Sequence, residues 1–178
     1  MEFWFSEFHT PDVKHSIRVN KQLYSKQSDY QRIDIFETPE FGRVLTLDGN
    51  VMLTERDEFI YDEMIVHVPM AVHKEAKDIL VIGAGDGGVV RELTRYDRVE
   101  RIDLVEMDPQ VVEACRAYLP GNACRMDDRR VHIYFENALK LSAAARRNTT
   151  SSSWTPPTPS APLRVCSPAS STAAASTP

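Results

Sequence analysis

Short apolar runs separated by turn residues fill the first part of the chain. Residues 16–20 (SIRVN) and 31–36 (QRIDIF) alternate between apolar and polar side chains, the period of a half-buried β-strand. The pair Asp48-Gly49 separates two further apolar runs, which is a strong signal for a tight hairpin. The pattern predicts a small antiparallel β domain of five or six strands over residues 1–54. Because it is too small for a large core, we expect it to pack against the next domain or a partner chain.

After this segment the spacing of apolar residues changes to that of a helix. We expect Thr54 to be the N-cap and Pro69 to kink or restart the helix. The predicted apolar face has helical spacing and consists of Phe59, Ile60, Met64, Ile65 and Val68.

Residues 78–108 (DILVIGAGDGGVVRELTRYDRVERIDLVEMD) form the central pattern of the chain. Two short apolar runs, 79–82 and 102–105, are typical of strands buried on both faces. A glycine-rich turn and a helix lie between them. A helix starting at Asp108 or Pro109 and a third strand over 130–135 follow. The order of elements predicts an α/β fold with a parallel sheet.

The glycine-rich turn predicts a nucleoside site. Its residues 83–88 (GAGDGG) permit a tight turn and the close approach of a ligand to the backbone. Glu106 lies about 20 residues further on, at the tip of the second strand, where a carboxylate accepts hydrogen bonds from both ribose hydroxyls.

Asp86 bears on which nucleoside the turn binds. In dinucleotide enzymes this turn faces a pyrophosphate, which a carboxylate would repel unless it pointed away. The carboxylate attracts a sulfonium or ammonium group instead, so Asp86 favours an adenosyl-sulfonium ligand over NAD. NAD and a turn that binds no ligand remain the alternatives. A phosphate-binding P-loop is excluded because no Gly-Lys-Ser/Thr follows.

Composition narrows the function classes. The net charge of −5 argues against nucleic acid as a partner and suits a cationic substrate. No apolar stretch approaches the ~20 residues of a membrane span. The N-terminus lacks secretory-signal features, and the cysteines show no metal spacing, so we expect free thiols and a cytoplasmic location. We predict no metal site and expect His67 and His73 to be packing or surface histidines, because no third ligand stands nearby.

The composition changes abruptly near residue 141. Glu136 is the last acid in the chain, and residues 149–178 are almost all Ser, Thr, Pro or Ala. Such a segment cannot bury enough apolar surface to offset its ordering entropy. We therefore predict a disordered tail over residues 141–178.

Three stretches of the chain resemble spermidine synthases, which are polyamine aminopropyltransferases. They are SDYQRIDIFE, LTLDGNVMLTERDEFIYDEMIVHVPM, and DILVIGAGDGGVVRELTRY followed by DLVEMD. The resemblance covers about residues 1–140. It implies a small N-terminal β domain (1–54) followed by a truncated methyltransferase-like Rossmann domain (55–140). It also implies transfer of an aminopropyl group from decarboxylated S-adenosylmethionine, a co-substrate, to putrescine, which gives spermidine and 5′-methylthioadenosine. No cofactor is implied, and the full-length family implies a homo-oligomer, either a dimer or a tetramer.

The resemblance assigns roles to individual positions. It implies that Gln31 contacts the nucleoside, that Tyr61 lines the amine pocket, that Asp86 holds the aminopropyl amine and that Glu106 binds the ribose.

Two positions in the substrate site depart from the family pattern. Asp62 stands where the family usually has His, and beside a diamine it is electrostatically favourable. Asn137 stands where the family usually has an Asp that bonds the adenine amino group, and its amide oxygen can still accept that bond. With its neighbour Ala138 it follows the third strand, at the edge where ligands bind in parallel sheets.

The family's catalytic base is missing from the matching position. In the family it opens an Asp-Ser-Thr-Asp-Pro segment after the next strand, and no such segment follows Lys140 here. An out-of-frame translation of the tail accommodates this segment, because the codons of Trp154 and Thr155 force an Asp in the shifted frame. We therefore predict that the tail is frameshifted and non-native and that the chain is inactive. The alternative to the frameshift is an unrelated low-complexity tail.

Two other functions are weighed against aminopropyl transfer. One is a catalytically dead module for nucleoside binding or oligomerisation, built from the same fragment. The other is a small-molecule S-adenosylmethionine-dependent methyltransferase, which shares the glycine turn and the ribose acid. The N-terminal β domain with Gln31, together with Tyr61, argues against the methyltransferase.

Overall fold

The N-terminal domain is built from six antiparallel strands, as the alternation of its residues predicts. A computed structural model describes residues 2–137 and the backbone of 163–166. Strands β1 (Phe3–Thr10) and β2 (Val13–Val19) form a two-stranded sheet. A second sheet has four strands in chain order: β3 (Lys21–Gln27), β4 (Arg32–Thr38), β5 (Gly42–Leu47) and β6 (Asn50–Thr54). The predicted hairpin at Asp48-Gly49 is confirmed, since both residues have positive φ between the paired strands β5 and β6.

Helix α1 (Glu58–Val72) starts later than predicted, and its N-cap is Asp57. The prediction of Thr54 as the cap was wrong because Thr54 belongs to β6, where it pairs with Val44. Its hydroxyl instead donates to Asp57 Oδ1 at 2.6 Å. The helix continues through Pro69 to its last residue, although proline has no N–H to donate to the preceding turn.

The second domain contains the predicted parallel sheet. Its strands β7 (Asp78–Ile82), β8 (Arg101–Glu106) and β9 (Val131–Phe135) are connected by helices α2 (Gly88–Leu93), α3 (Pro109–Tyr118) and α4 (Pro120–Ala123). Together the two domains give the predicted mixed α/β fold with a Rossmann-like sheet. Among the described residues, no helix is long and apolar enough to cross a membrane.

A further strand, β10 (Leu163–Cys166), extends the sheet beyond β7 and gives the order β10-β7-β8-β9. It pairs in parallel with β7, Leu163 opposite Ile79. The prediction of a disordered tail over residues 141–178 did not include this strand. An open strand edge presents unpaired N–H and C=O groups that a short apolar segment can satisfy. The other tail positions lie outside the described residues.

Two hydrophobic clusters form the core, and the second of them joins the two domains. The first lies between α1, α2 and the parallel sheet, and includes Val66, Met70, Val81, Val90 and Leu104. The second contains residues of both domains. Strands β4 and β5 contribute Ile33, Ile35, Leu45 and Leu47, and helix α3 contributes Val111, Ala114, Cys115 and Leu119. The small β domain therefore packs against the next domain, one of the two partners expected for it.

A buried carboxylate joins the two domains at the start of α3. Asp108 is fully buried, and its Oδ1 accepts from the backbone N–H of Gln110, which caps the helix at 3.0 Å. Its Oδ2 accepts from the Ser28 hydroxyl at 2.6 Å and from Gln31 Nε2 at 3.2 Å, both in the N-terminal domain. The predicted start of this helix is thus confirmed, and its cap also contacts the other domain.

We predict that Asp108→Ala lowers the free energy of unfolding by about 2–4 kcal/mol, because it removes a helix cap and the hydrogen bonds that Ser28 and Gln31 donate to this carboxylate. Asp108→Asn keeps a capping oxygen and should lose only about 1 kcal/mol. Urea denaturation followed by circular dichroism measures both. Glu113→Ala, at an exposed position of α3, is the control. If Asp108→Ala loses no more stability than Glu113→Ala, Asp108 does not join the two domains as described.

Candidate functional site

The turn between β7 and α2 is closely packed against the tip of β8. The N–H of Gly83 donates to the Val105 carbonyl at 2.9 Å, which joins the start of the turn to the neighbouring strand. A Cβ at Gly85 would lie 2.9 Å from Glu106 Oε2. Only glycine fits there without displacing the carboxylate, so the turn and the acid form one unit.

The carboxylate of Glu106 is held by three backbone N–H groups. Its Oε1 accepts from Met107 at 2.8 Å and Asp108 at 3.1 Å, and its Oε2 accepts from Gly85 at 3.1 Å. Burial raises the pKa of Glu106, and the three backbone hydrogen bonds oppose that shift. The side chain is therefore fixed in one position at the carboxyl edge of the sheet.

Asp86 lies within the turn, immediately before α2. Its Oδ1 accepts from the N–H of Gly88, the first residue of that helix, at 2.8 Å. Burial raises the pKa of Asp86, and the nearby Glu58 raises it further. A carboxylate in this place favours a cation beside the turn, since a positive charge would offset its desolvation.

Asp62 reaches the same turn from α1. Its side chain is buried against Gly88, where a Cβ would overlap the carboxyl group. Burial raises the pKa of Asp62 to about 9, with further contributions from the hydrogen bond to Glu58 and the charge of Asp86. Asp62 and Asp86, which lie 24 positions apart in the sequence, are thus brought together.

Glu58 and Arg91 complete this acidic region, and the sequence pattern did not single them out. The guanidinium of Arg91 donates to both oxygens of Glu58, each at 2.9 Å. Burial alone would raise the pKa of Glu58, but hydrogen bonds from Arg91 and Asp62 lower it instead. A Glu one turn before Asp62 on the helix is the signal that could have identified this pair.

The other predicted site residues are Gln31, Tyr61, Asn137 and Ala138. Gln31 Nε2 donates to Asp108, and the backbone N–H of Asp108 donates to Glu106. The N-terminal domain is therefore linked to the Glu106 side of the turn. Asn137 follows β9 next to Glu106, since the N–H of the intervening Glu136 donates to the Glu106 carbonyl at 3.0 Å. Tyr61 precedes Asp62 on α1 and is 41% exposed. Ala138 lies outside the described residues.

His67 lies in a second cluster, which adjoins the first because Arg91 Nε also donates to Glu92 Oε1 at 2.9 Å. Its Nδ1 is 2.7 Å from the Tyr96 hydroxyl, and its Nε2 is 3.3 Å from Glu92 Oε2. Glu63 completes a set with metal-ligand spacing, so the expectation that no third ligand stands near His67 was wrong. The guanidinium of Arg95 already lies 2.5 Å from Glu92 and 3.8 Å from Glu63, where it balances their charge.

Two protein-family models match consecutive parts of the chain. The Spermidine synthase tetramerisation domain matches residues 3–55, and the Spermine/spermidine synthase domain matches residues 58–152. The boundary between the matches lies just before α1, in agreement with the division into two domains observed in the structure.

Curated relatives are closely similar over the same region. A polyamine aminopropyltransferase from Clostridium botulinum is 61% identical over 141 residues, and one from Alkaliphilus oremlandii is 59% identical over the same length. Each match covers 79% of this chain and 50% of the relative. The chain therefore spans about half the length of the curated relatives it matches.

Solved structures share the fold. Spermidine synthase from Thermotoga maritima superposes with a TM-score of 0.77 at 46% identity, over 78% of this chain and 48% of that protein. A spermidine synthase in complex with the transition-state analogue AdoDATO gives a TM-score of 0.76 at the same identity. Both family models match in the expected order, and the structure contains the glycine turn and the N-terminal sheets. The chain therefore belongs to the spermine/spermidine synthase family.

Proposed function

We propose that this chain carries the nucleoside-binding half of a polyamine aminopropyltransferase, which transfers the aminopropyl group of decarboxylated S-adenosylmethionine to putrescine. The observation that carries the proposal is the carboxylate of Asp86 inside a turn that also holds Glu106. One acid suits a ribose and the other a cation, which is the combination that an adenosyl-sulfonium compound with an amino tail requires. The names of the curated relatives support the same activity.

In this proposal Glu106 binds the ribose diol. Its oxygens are already fixed by backbone N–H groups, so little ordering is needed when the two hydroxyls arrive. Asn137 follows β9 at the same edge of the sheet, and we propose that it contacts the adenine. Gln31 approaches from the N-terminal domain through its contact with Asp108.

Asp86 and Asp62 recognise the cationic groups of the two substrates. Asp86 binds the aminopropyl ammonium of the donor. Asp62, next to Tyr61, lies near the diamine, whose positive charge favours the ionised form of Asp62. With Glu58 they form a group of three acids near the guanidinium of Arg91. An entering ammonium group would restore the charge balance of this buried region.

The chemistry needs a base that this chain does not have at the family's position. A putrescine amine has a pKa of about 10 and attacks the aminopropyl carbon only as the neutral amine. As the new C–N bond forms, the C–S bond breaks and 5′-methylthioadenosine leaves. The proton passes to a carboxylate, and such general-base catalysis contributes roughly 10²–10⁴ in rate. We therefore propose that the chain as written binds the nucleoside with little or no turnover.

We also propose that the chain forms a homo-oligomer, a dimer or a tetramer, through its N-terminal domain. The match to a tetramerisation domain supports this. Four large apolar side chains on the two-stranded sheet are more than half exposed and suit such a contact: Phe3, Trp4, Phe8 and Val13.

The first prediction concerns the ribose acid. Glu106→Ala should weaken the binding of 5′-methylthioadenosine by about 1.5–3 kcal/mol, because hydrogen bonds to a charged group are lost. Titration calorimetry measures the change. Asp103→Ala on the same strand, which removes an acid paired with Arg101 at the surface, is the matched control and should leave the affinity unchanged. Equal affinities for wild type and a folded Glu106→Ala chain would mean that the ribose binds elsewhere.

The second prediction concerns the pH dependence of stability. Because the pKa of Asp62 is raised to about 9, the folded chain binds a proton that the unfolded chain releases between about pH 4 and pH 9. The stability due to this group is therefore complete below that window and falls as pH rises through it. Asn cannot ionise but can still donate to Glu58, so Asp62→Asn should remove this loss.

We expect Asp62→Asn to stabilise the chain more at pH 7 than at pH 4, by at least the 1.4 kcal/mol or so that corresponds to one pKa unit. Urea denaturation at the two pH values measures the difference. Asp97→Asn at the surface is the control and should show no such difference. An Asp62→Asn effect that is the same at both pH values would show that Asp62 is ionised in the folded chain.

The third prediction tests the activity itself. The chain as written should form little or no labelled spermidine from putrescine and decarboxylated S-adenosylmethionine. A chain translated in the alternate frame after Lys140 should be active, since that frame restores the Asp-containing segment. The two chains are assayed side by side at equal concentration, with binding of 5′-methylthioadenosine as the test of folding. Comparable turnover by both would refute the assignment of the base and the frameshifted tail.

A further inference from the structure

Helices α1 and α2 bring together three side chains that have the spacing of a metal site. Glu63 and His67 lie one turn apart on α1, and Glu92 lies on α2. One ligand atom from each residue lies within 4.8 Å of those of the other two. Imidazole nitrogen and carboxylate oxygen are both common ligands of Zn²⁺. We call these three residues the α1–α2 cluster.

His67 and Glu92 already have the separation that a tetrahedral zinc ion requires. Zinc–ligand bonds of about 2.1 Å place two ligand atoms of a tetrahedron roughly 3.4 Å apart. The distance from His67 Nε2 to Glu92 Oε2 is 3.3 Å. The side chain of Glu63 is 47% exposed, so its carboxylate has the room to change rotamer and complete the set.

Tyr96 holds the other ring nitrogen of His67 in the way that a metal-binding histidine requires. The Tyr96 hydroxyl oxygen lies 2.7 Å from His67 Nδ1. When Nδ1–H donates to this hydroxyl, Nε2 keeps a lone pair, and such contacts fix the tautomer and orientation of metal-ligating histidines. In that tautomer the lone pair faces the Glu92 carboxylate, and the two repel each other unless a cation lies between them. This contact does not involve the acids of the cluster, and it independently favours an ion at Nε2.

The guanidinium of Arg95 lies where a cation would bind between the two carboxylates. Its Nη1 is 2.5 Å from Glu92 Oε2 and 3.8 Å from Glu63 Oε1. Glu92 is only 3% exposed, and a buried carboxylate requires compensating charge. The Arg95 side chain is 61% exposed, so it can turn into solvent at little cost, while Arg91 continues to donate to Glu92 Oε1. A divalent ion can therefore take the place of Arg95 and bond to His67 as well.

We propose that the α1–α2 cluster binds Zn²⁺, with His67 Nε2, Glu92 Oε2 and a carboxylate oxygen of Glu63 as ligands and a water molecule in the fourth position. Two ligands come from α1 and one from α2, so the ion clamps the two helices together. The same packing holds Asp62 against Gly88. The ion therefore stabilises the site region without taking part in aminopropyl transfer. This inference rests on the contacts between α1 and α2 and is independent of the proposed reaction.

The test is titration calorimetry of the purified chain with ZnCl₂ after treatment with a chelator. We expect Zn²⁺ to bind and to raise the midpoint of thermal unfolding, because an ion that binds only the folded chain stabilises it. Mg²⁺ should do neither, since it prefers octahedral sites of oxygen ligands. His67→Gln and Glu63→Gln should each lower the affinity for Zn²⁺ at least tenfold. Tyr96→Phe, which leaves all three ligands in place, should lower it about tenfold.

Arg95→Gln distinguishes a metal site from a network that merely stabilises the fold. Removing the competing guanidinium should raise the affinity for Zn²⁺ by about threefold, which corresponds to the strength of a partly exposed ion pair. Damage to the fold cannot produce a gain in affinity. Because the side chains of Arg95 and Glu63 are 61% and 47% exposed, both variants should fold even if His67→Gln does not.

Other groups among the described residues can also bind Zn²⁺, and they provide the controls. The rings of His9 and His15 lie 6.0 Å apart on β1 and β2, and Cys124 is an exposed thiol. His15→Gln and Cys124→Ser should change the affinity less than twofold. The proposal is overturned if Zn²⁺ does not bind, if His67→Gln and Glu63→Gln both bind it like the wild type, if either control removes binding, or if Arg95→Gln weakens binding.

Discussion

The buried carboxylate of Asp108 is the contact on which the arrangement of the two domains depends. Both of its oxygens are used, one to cap α3 and the other to accept from Ser28 and Gln31 across the domain boundary. A buried carboxylate is tolerated only when its hydrogen bonds are made, so the N-terminal domain cannot move away without leaving a charge unsatisfied. The backbone N–H of Asp108 is also bound by Glu106. The position of the proposed ribose acid is therefore coupled to the docking of the small β domain.

Around the glycine turn the structure brings together several acidic side chains that are buried or half-buried. Glu106 and Asp86 both have raised pKa values because burial disfavours their charged forms, and Asp62 follows for the same reason. Arg91 offsets part of this charge through Glu58. Binding of a cation is the simplest way to compensate the rest, which makes the charge of the ligand a stronger discriminator here than the shape of the turn.

Local signals in the sequence predicted those parts of the fold that local chemistry controls. The glycine turn, the Asp48-Gly49 hairpin and the Asp108 cap are each specified within a few residues, and the structure has all three. The start of α1 was missed because sheet pairing of Thr54 with Val44 takes precedence over its capping preference. The placement of β10 was also missed, since it depends on an open edge of β7 and not on the tail's own composition.

Contacts between distant residues account for what the sequence did not reveal about the site. The hydrogen bond from Ser28 to Asp108 joins positions 80 residues apart, and that from Arg91 to Glu58 joins positions 33 residues apart. His67 likewise meets Glu92 only after α1 and α2 have packed together. No pattern within a single helix or strand contains these pairs. The sequence could therefore identify candidate site residues, but not their hydrogen-bond partners or their protonation states.

Asp86 is the residue that we propose makes the turn select a cationic nucleoside. The direct measurement is a calorimetric comparison of decarboxylated S-adenosylmethionine, neutral 5′-methylthioadenosine and NAD on the wild-type chain and on Asp86→Asn. The account predicts that wild type binds the cationic compound most tightly and NAD most weakly. It also predicts that Asp86→Asn removes the advantage of the cation over 5′-methylthioadenosine and leaves the affinity for the latter within about twofold, because only the charged tail meets that carboxylate. Tighter binding of NAD by the wild type, or an unchanged preference for the cation in Asp86→Asn, would contradict it.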